Sequence, residues 1–426
     1  MPDVHSMRNF RIYLYLLLYS LSFTSTAKTE TCPSAGAKDR YVVTKLRAEQ
    51  RKDTAGLIRV YYKLLHSFDP QKPTLLVING GPGGDHNLIE LFYNTKLDKK
   101  MNIVGFDHRG LGCTRPLSAW KAWYEEGIYS MSRTADDIEA IRKDLLGEDG
   151  KWFVYGISYG TFLGQQYAIK YPQSIEAMIL DSAFHDSQAI DIARQQFMPL
   201  YIRSDEAISN LYDRVIQKYS DLRSAVLRTI FSYSYGYDGR TRATRIFLER
   251  LLNTGSREEA EKIIGSQPDF PMTGMSRHII CEEIWDYSAD QDANAYYFSS
   301  FGDCGAFEKH RKPMAFAEEL RKLNVPVFIW GGRFDPVTPI QAMREMHQLI
   351  PQSLFWEHPY AGHGLIVESS ACAFKLADMF FSGGSKSDIE ALANSADCQS
   401  EPSANFADTQ SLLKKMTLPG INFPGF

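Results

Sequence analysis

The stretch that most constrains this chain is Trp152-Phe153-Val154-Tyr155, followed at once by Gly156-Ile157-Ser158-Tyr159-Gly160 and then by helix-forming sequence to about Tyr171. An apolar run of strand length that stops at a glycine-flanked serine and restarts as a helix forces a sharp strand-to-helix turn. The serine hydroxyl is then presented at the end of a buried strand, and the glycines let strand and helix approach closely. The same turn puts the next backbone N–H, that of Tyr159, at a helix start, where it can stabilise an oxyanion.

The rest of the chain repeats this rhythm. Tyr41 to about Lys63 reads as strand material, with Leu57-Ile58-Arg59-Val60-Tyr61-Tyr62 rich in β-branched and aromatic residues. Pro73 to Ile78 and Met101 to Phe106 are apolar on both faces, as central parallel strands covered by helices must be. Residues 134–146 carry Ile138, Ile141 and Leu145 at helical spacing, with Thr134 as the expected cap. A further strand, Ala177 to Leu180, ends at Asp181. After residue 184 the pattern turns helical (205–231 and 240–265) and rich in aromatics, from Tyr201 to Phe298. Strand and helix then return as Val325–Trp330, Pro339–Leu349 and Ser353–Trp356. The expected architecture is an α/β, mostly parallel, doubly wound sheet built from residues 28–184 and 316–400. A helical cap, residues 185–315, is inserted between them, and 401–426 form a tail.

Bulk properties exclude some functions. The formal net charge of −4 over 426 residues offers no basic excess for neutralising phosphates, so nucleic acid is not an expected partner. Arg8 and Arg11 precede an apolar run, Ile12 to Phe23, and Ser25-Thr26-Ala27 supplies a small-residue exit. That combination describes a secretory signal peptide cleaved near Ala27, giving a secreted or periplasmic protein. The run falls short of the roughly 20 residues that span a bilayer, so no stable membrane span is expected after cleavage. Cys32, Cys113, Cys281, Cys304, Cys372 and Cys398 form an even set, which in an exported chain favours disulfides. The sequential pairs Cys281–Cys304 and Cys372–Cys398 would each close a modest loop, leaving Cys32 with Cys113. No C-x-x-C spacing is present, and neither a metal nor an organic cofactor is expected.

A serine hydroxyl is a poor nucleophile and needs a base, itself oriented by a third group. Asp335 fits the orienting acid, in the turn Gly331-Gly332-Arg333-Phe334-Asp335-Pro336 after a late strand. His363 fits the base, in Ala361-Gly362-His363-Gly364 after the next strand, and the order serine, acid, histidine suits the scaffold. The run Asn79-Gly80-Gly81-Pro82-Gly83-Gly84 can supply a second oxyanion donor, for which Gly81 is the candidate. No Lys-Ser/Thr pair completes a phosphate loop there, and the spacing is not G-x-G-x-x-G. A serine at the turn, rather than a carboxylate, argues for acyl transfer to water.

Together these segments resemble the proline iminopeptidase and tripeptidyl aminopeptidase family of α/β-hydrolases, peptidase family S33. The likeness covers roughly residues 55–183 and 320–400. Asn79–Gly84 is similar to the glycine-rich loop of the tripeptidyl branch, Asp107–Gly112 to its Asp-x-Arg-Gly-x-Gly segment, and Gly156–Thr161 to its Gly-x-Ser-Tyr-Gly-Thr turn. Gly362-His363-Gly364 with Cys372, and Cys398 beyond, are similar to its late segment. The resemblance implies an α/β-hydrolase fold and a peptide substrate with a free amino terminus, its ammonium group held by acidic cap residues. Cys281-Glu282-Glu283 resembles the acidic element, pointing to Glu283 with Glu282 beside it. Asn79-Gly80 and Cys113-Thr114 depart from the usual residues, which leaves peptide length and side-chain preference open. The expected function is a secreted serine exopeptidase. An esterase using the same three residues, or a silent hydrolase fold serving as a binding protein, are the alternatives, and the oligomeric state is not legible.

Overall fold

The computed structural model describes residues 32–45, 56–117, 129–265, 274–284 and 313–402. The segment through Ala27, Cys304, the aromatics from Trp285 to Phe298 and the tail from residue 403 lie outside the described residues, as do the expectations attached to them.

One sheet holds the strands β1 (Asp39–Lys45), β2 (Leu57–Leu64), β3 (Thr74–Ile78), β4 (Asn102–Phe106), the short β5 (Arg115–Pro116), β6 (Trp152–Ile157), β7 (Ile175–Asp181), β8 (Val327–Gly332) and β9 (Leu354–His358). Their order is β1-β2-β4-β3-β6-β7-β8-β9, with β5 beside β2. β2 runs antiparallel to its neighbours β1, β4 and β5, and every pair from β4 through β9 is parallel. The single strand read from Tyr41 to Lys63 is thus an antiparallel pair, β1 and β2, whose connection lies outside the described residues.

The period of two explains why the central strands are apolar throughout. Leu76, Ile78, Val104, Phe106, Val154, Met178 and Leu180 pack into a cluster on one face. Leu75, Val77, Ile103, Tyr155, Ile157 and Ile179 pack into another on the opposite face. Helices cover both. α1 (Met131–Leu146) and α2 (Tyr159–Lys170) supply Ile138, Ile141, Phe162 and Leu163 to the first cluster. Each such side chain contributes about 1.5–3 kcal/mol by leaving water. Ser130, not Thr134, caps α1: its hydroxyl accepts from Arg133 N, and the Thr134 hydroxyl donates back to Ser130 O at 3.1 Å. The helix starts a turn earlier than expected because Met131, fully buried, extends its apolar face.

Among the described residues between β7 and β8 are the helices α3 (Gln188–Phe197), α4 (Glu206–Lys218), α5 (Arg223–Tyr233), α6 (Thr244–Leu252) and α7 (Arg257–Gly265). These helices bury their own cluster, including Phe197, Ile208, Val215, Ile230, Phe247 and Leu251. Phe334 and Val337, in the turn after β8, pack against it and fix the insert over the carboxyl ends of the strands. α8 (Ile340–Leu349) covers the first face and α9 (Ser370–Phe381) the second. Disulfides join Cys32 to Cys113 and Cys372 to Cys398. Cys281 is also disulfide-bonded, and Cys304, expected as its partner, is outside the described residues. Among the described residues no helix is long and apolar enough to cross a membrane.

The Asp-x-Arg-Gly segment after β4 has a structural role. Arg109 Nε and Nη2 donate to the Asp137 carboxylate of α1 at 2.5 and 2.7 Å, and Nη2 also donates to Lys45 O at 2.7 Å. Both side chains are buried, so the pair is sound only while both partners are present. Arg109→Met should therefore cost about 3–5 kcal/mol by stranding a buried carboxylate. Adding Asp137→Leu should recover much of that loss. Denaturant midpoints of the single and double variants check this; an Arg109→Met protein as stable as wild type would contradict it.

Candidate active site

The serine turn follows from steric necessity. Ser158 sits at φ 55°, a conformation non-glycine residues rarely adopt. A Cβ at position 156 would lie 2.5 Å from Gly160 O, and one at position 160 would lie 2.3 Å from Ile78 O. Only glycines therefore allow α2 to leave β6 this abruptly. The strain is held by Ser158 N donating to Asp181 O at 2.9 Å, and by Ser158 O accepting from Thr161 N at 2.8 Å and Thr161 Oγ1 at 2.7 Å.

Asp335 and His363 arrive from the turns after β8 and β9. The Asp335 carboxylate accepts from Val337 N, Thr338 N and Thr338 Oγ1 at 2.8–2.9 Å. His363 Nδ1 lies 2.8 and 2.9 Å from its two oxygens. With Nδ1 committed, Nε2 is the nitrogen left for a proton acceptor's work. Burial lowers the His363 pKa, but the charge and hydrogen bond of Asp335 outweigh it, so the imidazole stands above its ordinary 6.5. The histidine loop lies against the serine turn: a Cβ on Gly364 would meet Ile157 Cδ1 at 2.9 Å. Among the described residues Ser158 Oγ makes no hydrogen bond.

The glycine loop after β3 flanks the serine. A Cβ on Gly80 would be 3.0 Å from Ser158 Cβ. Gly80 N is spent on Asn79 Oδ1, and Asn79 Nδ2 donates to Asp85 O, so the residue that departs from the family pattern pins the loop. Gly81, at φ 119°, keeps its N–H free of any acceptor among the described residues, and Tyr159 N opens α2. These are the two donors expected from the sequence.

Glu282 and Glu283 part company in the structure. Glu282 Oε2 lies 2.8 Å from His278 Nε2. Glu283 is half-buried, accepts from Met131 N at 2.8 Å, and has no paired cation among the described residues. Burial pushes its carboxyl up to about 7. Its charge bears on the Tyr159 hydroxyl, which is buried without a hydrogen-bond partner. Glu283 therefore belongs to the neighbourhood of the serine turn.

Other site residues were not singled out from the sequence. Asp181 ends β7 in the apolar interior and accepts from Leu365 N, Ile366 N and Tyr155 Oη at 2.8–2.9 Å. An acid closing an otherwise apolar strand was the available signal. Tyr235 O accepts from His363 N at 2.7 Å, and its ring meets the imidazole edge-on at 5.6 Å. His108 is fully buried behind Tyr159, with both ring nitrogens unpartnered and its pKa pushed by burial down to about 4. Nothing in the spacing of the sequence marked either of these.

The Glu283 carboxyl makes a stability prediction. Its folded value near 7 exceeds the ordinary 4.5, so between those values the folded chain holds a proton the unfolded chain has released. Stability contributed by the neutral acid is present below 4.5 and lost as pH rises toward 7. Glu283→Gln should flatten that decline, as read by chemical denaturation at pH 5 and pH 8; an unchanged pH dependence would refute the assignment.

The comparisons with known proteins bear on the fold. A family model described as alpha/beta hydrolase fold matches residues 73–210, and one described as TAP-like protein matches residues 290–392. The proline iminopeptidase PfmaB of Pestalotiopsis fici is 27% identical over 194 residues, 44% of this chain and 64% of that relative. A proline iminopeptidase of Thermoplasma volcanium is 26% identical over 165 residues, 39% of this chain and 50% of the relative. The chain thus spans between half and two thirds of the length of these curated relatives. A longer match, 24% over 325 residues, covers 74% of this chain and 91% of a proline iminopeptidase of Xylella fastidiosa. Among solved structures, a thermophilic esterase from Thermogutta terrifontis is 18% identical with a TM-score of 0.43, over 81% of this chain and 98% of that one. On its strand order and these two family models, the chain has the α/β-hydrolase fold, and it is similar to the proline iminopeptidases.

Proposed function

We propose that this protein is an exported serine exopeptidase that releases amino-terminal residues or short peptides through an acyl-enzyme on Ser158. The observation that carries the reading is one assembly: an Asp335–His363 pair against a strained serine turn, with the half-buried Glu283 carboxyl, which has no paired cation among the described residues, acting on Tyr159. Ser158 Oγ attacks the scissile carbonyl carbon while His363 Nε2 takes its proton. The N–H groups of Gly81 and Tyr159 hold the oxygen as it becomes anionic. Collapse of that intermediate breaks the C–N bond, and the imidazolium returns the proton to the leaving amine. Water, deprotonated by the same imidazole, then attacks the acyl carbon and frees the serine. Asp335 fixes the tautomer and stabilises the imidazolium.

Glu283 gives the site its preference for amino termini. A half-buried carboxyl with a raised pKa is an unfavourable place for an unpaired charge, and an entering ammonium supplies the missing partner. The residues of the insert between 185 and 315 act as a cap carrying this acid. Disulfides at Cys32–Cys113 and Cys372–Cys398 support an oxidising compartment, in keeping with an amino-terminal signal peptide. The curated relatives named proline iminopeptidase support a peptide substrate.

The deciding assay uses fluorogenic alanine, proline and tripeptide amides with free or acetylated amino termini, beside short nitrophenyl esters. Turnover of free-amine amides that disappears on acetylation supports the reading, whereas turnover of esters alone leaves a general esterase. Ser158→Ala should be inert and Asp335→Asn reduced about a thousandfold or more in kcat. Because His363 must be neutral to act as base and its pKa is raised, the acid limb of kcat/KM should lie above pH 6.5, and activity should fall as pH drops through it. Glu283→Gln should raise KM for free-amine substrates about tenfold while leaving acetylated esters little affected.

A further inference from the structure

Among the described residues Arg240 has no acidic partner. Its guanidinium carbon lies 3.6 Å from the centre of the Phe334 ring and 5.7 Å from that of Tyr237. Its Nε is buried without a hydrogen-bond acceptor, and no carboxylate lies within ion-pair distance among the described residues. Arg240 is half-buried with its Nε out of water, and arginines so placed are ordinarily paired, so the nearest acids need accounting for. Asp238 is engaged by Arg242 at 3.2 Å, and Asp205 caps its own helix through Ile208 N at 3.0 Å. Glu368 accepts from Tyr237 N at 2.8 Å. Each neighbour is committed elsewhere, while the guanidinium carbon sits over an aromatic face.

The position of this cation is informative. Phe334 immediately precedes Asp335, and Tyr235, five residues before Arg240, holds the backbone of His363. Arg240 therefore stands on the histidine side of the site. In serine acyl transfer the base hands its proton to the leaving group, so the departing half of the substrate lies on that side. A guanidinium over a ring keeps its N–H donors available for an acceptor, and arginine grips a carboxylate with two parallel bonds.

We propose that Arg240 binds the carboxyl-terminal carboxylate of the departing fragment, making this protein an enzyme for short peptides with a free carboxyl terminus. The inference rests on the exopeptidase reading above and sharpens its substrate class. An amino-terminal acid and a carboxylate-side cation together measure the length of the peptide: Glu283 takes one end and Arg240 the other.

The test compares, in the mature chain, the dipeptide Ala-Ala with its carboxyl-terminal amide, both with free amino termini. The wild-type KM for the free acid should be about tenfold below that for the amide. In Arg240→Gln that ratio should fall to about one, and in Arg240→Lys, which keeps the charge but loses the fork, it should lie between. A ratio taken within one protein is insensitive to the fraction that folds. Equal KM values in the wild type would overturn the proposal, as would a tenfold ratio that survives Arg240→Gln. If no free-amine peptide is cleaved but esters are, the exopeptidase reading fails separately. N-acetylalanine and its amide are then compared as inhibitors of nitrophenyl ester turnover. Stronger inhibition by the acid, lost in Arg240→Gln, keeps the carboxylate site, and equal inhibition ends it.

Discussion

The reactive end of this molecule depends on one buried carboxylate, Asp181. Its main-chain carbonyl takes Ser158 N, and its side chain takes Leu365 N and Ile366 N, two and three residues beyond His363. The serine turn and the histidine loop come from opposite ends of the chain's core, and a single residue at the tip of β7 bonds both. Ser182 extends the same anchor by accepting from Gly364 N at 2.8 Å. Burial pushes the Asp181 carboxyl up to about 6, and its three hydrogen-bond donors work against that shift. An acid this costly to bury persists because amide donors at the start of a turn have nowhere else to go.

The same economy of donors explains the glycine loop. Asn79 uses both ends of its amide, one on Gly80 N and one on Asp85 O, so the loop is closed by its own first residue. What remains unspent is the Gly81 N–H. Behind the other donor, Tyr159, the packing is apolar and aromatic: the His108 ring stacks on Phe106 at 4.9 Å and meets Tyr159 at 5.7 Å. Kept neutral by burial, His108 adds no charge to the side on which negative charge would develop.

Much of this was legible in the sequence, because buried parallel strands and a glycine-flanked serine leave few alternatives. β3, β4, β6, β7 and β8 lie within a residue or two of the apolar runs that announced them. Asp335 and His363 were found by chain order and by their place just past late strands, and the structure sets them 2.8 Å apart. The misses share a cause. Thr134 lost the cap to Ser130 because tertiary burial of Met131 outweighed the local signal. Glu282 and Glu283 are adjacent in sequence, and only packing could assign one to His278 and the other to Met131 N. Asp181, Tyr235 and Arg240 act through backbone bonds and ring contacts with distant segments, which spacing along the chain does not encode.

The insert is more than a cover for the site. Tyr235 O holds the backbone of His363, and the Glu368 carboxylate, one turn past the histidine loop, holds Tyr237 N. Insert and histidine loop are therefore stapled in both directions, one donor and one acceptor from each. Desolvation pushes the half-buried Glu368 carboxyl up to about 7, so the staple is least costly when Tyr237 N and nearby positive charge stabilise it. A base whose position is shared between core and insert cannot be tuned by the core alone. Tyr235 and Tyr237 on the insert, with His363 and Glu368 on the core, thus form one mechanical unit, in which displacing this part of the insert would also displace His363.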